Sequence, residues 1–108
     1  MPPRQLARLL GALCFEERLR IIEALIAAGS EGMTSQGLAE VTGLSNSEVP
    51  VNLEYMASTD MVKVRQTNTG KVFTADLEIL ANLFAFMADN YGAGVRQEKN
   101  TALQRLPA

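Results

Sequence analysis

Residues 61–76, "MVKVRQTNTGKVFTAD", decide how the rest of the chain is read. Two short runs rich in Val, Phe and Thr, "MVKVRQ" and "KVFTA", flank "TNTG", which carries Asn and Gly where a tight reversal needs them. β-Branched and aromatic side chains suit a pleated, half-buried surface, so the stretch predicts a two-stranded hairpin. Its place in the chain matters as much as its form. It follows two segments of helical periodicity and leads into a long third one.

Just before it, "TSQGLAEVT" predicts a short helix with Thr34 as N-cap, Gly43 at its end, and Leu38 and Val41 inward. Gly37 inside that helix costs about 1 kcal/mol relative to Ala. "GLSNSEV" then turns into a further helix that points Val49, Leu53, Met56 and Ala57 at the core. Two short helices joined by a Gly-containing turn form a helix-turn-helix, although periodicity alone fits a plain helical hairpin equally well. The hairpin decides between them. A helix-turn-helix followed directly by a hairpin is the winged-helix arrangement, with the hairpin as wing.

Two more helices precede this unit. "RQLARLLGAL" spaces Leu6, Leu9, Leu10 and Leu13 along one face, and "EERLRIIEALIAA" does the same with Leu19, Ile22, Leu25 and Ile26 before Gly29 ends it. The last helix, "DLEILANLFAFMADNY", opens at Asp76 as N-cap with Glu78 in its first turn. One of its stripes carries Leu77, Leu80, Phe84, Met87 and Tyr91, and a second carries Ile79, Leu83 and Phe86. A helix apolar nearly all round must be covered nearly all round, and a second copy of the chain is the simplest cover. The expected dimer interface is therefore Leu6, Leu9 and Leu10 of the first helix with Ile79, Leu83 and Phe86 of the last. The fold class is mainly α with a small β-hairpin: a winged helix-turn-helix domain over residues 1–94, of about five helices plus a two-stranded wing. Residues 95–108 read as a polar, frayed tail.

Composition narrows the function. The 108 residues include 47% hydrophobic and 20% charged residues, which is a globular balance. No histidine is present, which makes His-based triads, imidazole general bases and His-ligated zinc improbable; no enzyme activity, catalytic residue, metal or cofactor is expected. No apolar run approaches the ~18 residues that span a bilayer, and "MPPRQLARLLGALCFEERL" lacks the unbroken apolar core of a signal peptide, so no membrane association and a cytoplasmic location are expected. The single cysteine, Cys14, agrees with a reducing compartment and stands as a possible redox residue near Arg18 and Arg20. The methionines and aromatics at helical spacing read as core. Charge is unevenly placed. Between Arg20 and Lys63 the only charged residues are Glu23, Glu31, Glu40, Glu48, Glu54 and Asp60, while Lys63, Arg65 and Lys71 lie on the hairpin.

Over about residues 8 to 94 these segments resemble the arsenical-resistance repressor (ArsR/SmtB) family of winged-helix transcription regulators. "LGALCFEERLRIIEALIAAG" is similar to the family's opening, with Arg18, Leu19 and Ile21 in its Arg-Leu-x-Ile pattern. "EGMTSQGLAEVTGLSNSEV" looks like its helix-turn-helix, and "MVKVRQTNTGKVFTAD" like its wing. The resemblance implies a homodimer built from the first and last helices, which binds double-stranded DNA at an operator palindrome and releases it when an inducer binds. "FAFMADNYGAG" resembles the end of the arsenite-sensing branch, but Tyr91 and Gly92 stand where that branch has two cysteines, so metal sensing is not implied.

On the family's recognition-helix pattern Ser45, Ser47, Val49 and Leu53 fit, whereas Pro50, Asn52 and Glu54 replace Ser, His and Lys. The reading surface expected here comprises Ser45, Asn46, Ser47, Val51, Asn52 and Glu54. Ser47 suits a base edge, Val51 a thymine methyl, Asn52 an adenine and Glu54 a cytosine amine. None of them anchors a phosphate, so that work falls to Lys63, Arg65 and Lys71 of the wing, with Arg4, Arg8 and Arg18 in reserve. A start at Ser45 would make a capping box with Glu48 but place Pro50 in the fifth helical position, where it crowds the Asn46 carbonyl. Pro50 therefore favours a later start, with Ser47 as cap, because a proline in the first turn loses no helical hydrogen bond. The leading reading is thus a repressor-like DNA-binding regulator with weakened DNA affinity. The alternative is a dimeric protein-interaction module on the same fold.

Overall fold

Helices α1 (Pro3–Gly11), α2 (Glu16–Ala28), α3 (Ser35–Thr42) and α4 (Glu48–Ser58) are followed by strands β1 (Val62–Thr67) and β2 (Gly70–Ala75) and by helix α5 (Leu77–Arg105). This computed structural model describes the backbone of residues 1–105 and the side-chain environments of residues 1–92. The order is that of a winged helix, mostly helical with one antiparallel hairpin. Its core lies where α2, α3 and α4 meet, around Ile21, Leu25, Leu38, Leu53 and Met56, and is closed by Leu6 and Leu9 of α1 and Leu80 and Leu83 of α5.

Local chemistry explains most boundaries. Thr34 Oγ1 accepts from the Gly37 amide at 3.0 Å and caps α3, and Gly43 ends that helix in the left-handed region at φ 78°. Asp76 Oδ1 accepts from the Ile79 amide at 3.1 Å and starts α5. That helix does not stop at Tyr91 but runs through Gly92 and Gly94 to Arg105. The side chains of the expected tail from residue 95, and the backbone from residue 106, lie outside the described residues.

Two inward faces differ from the sequence expectation. In α2 the core takes Ile21, Ile22 and Leu25, while Leu19 and Ile26 are exposed. Apolar residues occur on both sides of this helix, so its periodicity suits two faces, and the one with Ile21 meets α3 and α4. In α3 Leu38 is buried as expected, but Val41 is exposed and Ala39 is buried in its place. A methyl side chain lets the α3 backbone come closer to its neighbours than Val would.

The wing pairs in register from Val62 opposite Ala75 to Thr67 opposite Gly70, which leaves Asn68 and Thr69 as a two-residue turn. The positive φ of this turn, 133°, falls on Gly70. One connection was not legible in the sequence. Met33 exchanges two backbone hydrogen bonds with Phe73, at 2.9 and 2.8 Å, so the α2–α3 connection adds a short third lane to the wing sheet. Gly32 makes that approach possible: at its φ of 70° a Cβ would lie 2.4 Å from the Phe73 carbonyl oxygen.

Candidate nucleic-acid interface

Helix α4 divides cleanly. Val49, Leu53 and Met56 are buried, while Ser47, Val51, Glu54 and Ser58 face solvent, with Val51 68% exposed. Ser45 and Asn46, at its start, are exposed too. The start itself corrects the expected cap. Ser45 Oγ accepts from the Glu48 amide at 3.0 Å, and Glu48 Oε1 accepts from the Ser45 amide at 3.3 Å, which is a reciprocal capping box. Ser47 already has helical angles, φ −91° and ψ −32°, and its side chain caps nothing. Ser45 is the cap. The Ser45 carbonyl accepts from the Val49 amide at 3.2 Å, but Pro50 has no N–H for the Asn46 carbonyl, so regular α4 begins only at Glu48. Exposure of Asn46 leaves that carbonyl near water, which limits the cost.

Asn52 is not a free reading residue. Its Nδ2 donates to the Glu48 carbonyl at 2.9 Å, and its Oδ1 accepts from Arg18 Nε at 3.2 Å. Arg18 is itself held on several sides. Nη1 donates to the Gly11 carbonyl at 2.8 Å, and the guanidinium lies 3.9 Å from the Tyr55 ring centroid and 4.8 Å from that of Phe15. A planar cation between two aromatic faces gains both electrostatic and dispersion contact. The result is a brace from the α1–α2 junction to the middle of α4. Arg8 is engaged as well, since its Nη2 donates to the Ser58 carbonyl at 2.8 Å near the C-terminus of α4. The sequence reading missed this brace because Arg18 and Asn52 are 34 positions apart.

On the wing, Lys63 Nζ lies 3.4 Å from Asp76 Oδ2, and Arg65 Nη2 donates to the Glu31 carbonyl at 3.3 Å. Both side chains remain at the surface, where such contacts exchange readily with other anions. Lys71 faces a groove between the wing and α4, and Glu54 lines the same groove. Of the expected residues, Glu54 of α4 and Lys71 of the wing therefore border one groove, with acid on the helix and base on the hairpin, whereas Lys63 and Arg65, one position out of register with Val64 and Phe73, lie on the opposite face of the hairpin.

The residues expected at a dimer interface divide differently. Leu6, Leu9 and Leu83 are buried in the chain's own core and have no surface to offer; Ile79 and Phe86 are half-buried, and Leu10 is exposed. Exposed instead are Leu77, Phe84 and Tyr91, at 54%, 56% and 47%, spaced one heptad apart along one strip of α5. Phe86 supports the end of this strip edge-on, its ring centroid 6.1 Å from that of Tyr91. Cys14 is exposed, and its thiol donates to the Gly11 carbonyl at 3.1 Å. Among the described residues no three His, Cys, Asp or Glu side chains converge as a metal-holding group, and no helix is long and apolar enough to cross a membrane.

No family model and no curated protein matches the chain by sequence. It is similar in structure to a solved protein, the crystal structure of NolR from Sinorhizobium fredii, with a TM-score of 0.64 and 21% sequence identity over 85% of this chain and 95% of that one. A likeness at this identity carries the fold, and the fold it carries is the winged helix.

Proposed function

We propose that the chain is a DNA-binding transcription regulator, a cytoplasmic homodimeric repressor of the arsenical-resistance (ArsR/SmtB) type that works without the family's metal-sensing cysteines. The observation that carries this reading is the shared surface of α4 and the wing. The buried face of α4 is used by the core, its opposite face is open over Ser47, Val51 and Glu54, and Lys71 of the wing shares a groove with Glu54. The winged-helix fold that the chain shares with NolR agrees with this reading. In this reading Ser45, Asn46, Ser47, Val51 and Glu54 face bases, whereas Lys63, Arg65 and Lys71 face phosphates. Asn52 supports the helix through Arg18 and leaves the set of base readers. The second copy covers Leu77, Phe84 and Tyr91 of α5, with Leu10 at the edge, in place of the buried leucines first expected.

A second reading has its own support. Helices α3 and α4 carry only acidic charges, and Arg8 and Arg18 are tied down beside them, so the helix-turn-helix surface suits a protein partner better than a polyanion. Fluorescence anisotropy of the full chain against its own upstream DNA, over a range of salt, tests both. The regulator reading expects specific binding that survives competitor DNA, whereas the interaction-module reading expects none even at low salt.

A further inference from the structure

The groove between α4 and the wing is open to solvent and has a volume of about 780 Å³, within the range of small-ligand sites. Its apolar lining comes from Pro50 and Leu53 of α4 and from Val64 and Phe73 of the wing. Glu54 lines the helix wall and Lys71 the hairpin wall. Among the described residues neither takes part in an ion pair, so the two opposite charges face the groove without neutralising each other. A polyanion in this space meets Lys71 favourably and Glu54 unfavourably; a simple cation meets the reverse. A molecule with an ammonium at one end, a carboxylate at the other and an apolar body between satisfies both walls. The hydroxyl of Thr69 and the amide of Gln36 add polar groups at the rim for a ligand backbone.

We infer that this groove is a binding site for a short apolar peptide with free termini, its ammonium on Glu54, its carboxylate on Lys71 and its side chains on Leu53, Pro50, Val64 and Phe73. The volume suits roughly two to four residues. Such a ligand touches α4 and the wing together and fixes the gap between them. The site goes beyond the DNA reading and stands without it, so its test contains no DNA.

The test uses the full chain, labelled with nitrogen-15, and the tripeptide leucyl-phenylalanyl-alanine in three forms: free, N-acetylated and C-amidated. The expected result is saturable shifts of the amides of Leu53, Glu54, Ala57, Lys71 and Phe73, with each blocked form binding about tenfold more weakly. Glu54→Gln is expected to abolish the difference between the free and acetylated forms only, and Lys71→Ala that between the free and amidated forms only. Both positions are exposed, so both variants keep the fold. Absence of shifts at millimolar peptide, shifts elsewhere on the chain, or equal binding of all three forms overturns the proposal.

Discussion

Arg18 Nε and Asn52 Oδ1 meet at 3.2 Å and tie the α1–α2 junction to the centre of α4. The same guanidinium lies over the Tyr55 ring and donates to the Gly11 carbonyl, so one side chain sets how α4 stands against the α1–α2 junction. Replacing Arg18 by Ala removes two hydrogen bonds and the stacking, and is expected to lower stability by about 2 kcal/mol. Lys is expected to recover little, because it lacks the planar fork. Urea unfolding of the two variants checks this; a Lys variant as stable as the parent chain contradicts the brace.

The cap of α4 separates two serines. Ser45→Ala breaks the reciprocal box with Glu48 and is expected to cost about 1 kcal/mol, whereas Ser47→Ala is expected to stay within about 0.5 kcal/mol. Equal effects in thermal unfolding contradict the assignment of Ser45 as cap.

Gly32 joins the third lane to the wing. Any Cβ there meets the Phe73 carbonyl oxygen, the Thr74 methyl and the Val72 side chain, all within 3.0 Å, at a φ of 70°. Gly32→Ala is expected to destabilise by about 3 kcal/mol and to shift the amides of residues 72–74. At Gly29, which also has positive φ but open space, the cost is expected to be about 1 kcal/mol. Denaturant unfolding of the two variants gives the comparison.

Covering the exposed strip of α5 is the role given to a second copy. The parent chain is expected to sediment as a dimer at micromolar concentration, and Phe84→Glu to weaken that dimer at least about tenfold while leaving the unfolding of the monomer's core unchanged. A monomeric parent chain contradicts the dimer.

The helix-turn-helix and wing were legible because their signals are local: Thr34, Gly43 and Asp76 act within a few residues of the boundaries they set. What was not legible depends on distant chain segments. Leu19 and Ile26 fit an inward face as well as Ile21 does, and only the positions of α3 and α4 choose between them. The Met33–Phe73 lane joins residues whose sequence surroundings carry no common signal. Leu6, Leu9 and Leu83 read as partner-facing because the sequence shows how much of α1 and α5 is apolar, not how much of it one chain covers. Asn52 is the clearest case in the site. Its amide suits an adenine, but a cation far away in sequence already holds it.

The central claim is that the open face of α4 meets DNA, and Glu54→Arg tests it most directly. In the parent chain three wing bases per protomer allow about six phosphate contacts per dimer and a salt slope no steeper than about −5. Measured by anisotropy over salt against the upstream DNA, Glu54→Arg is expected to bind at least about tenfold more tightly at low salt, with the slope steeper by about two. Affinity and slope unchanged from the parent chain would show that this face does not meet DNA.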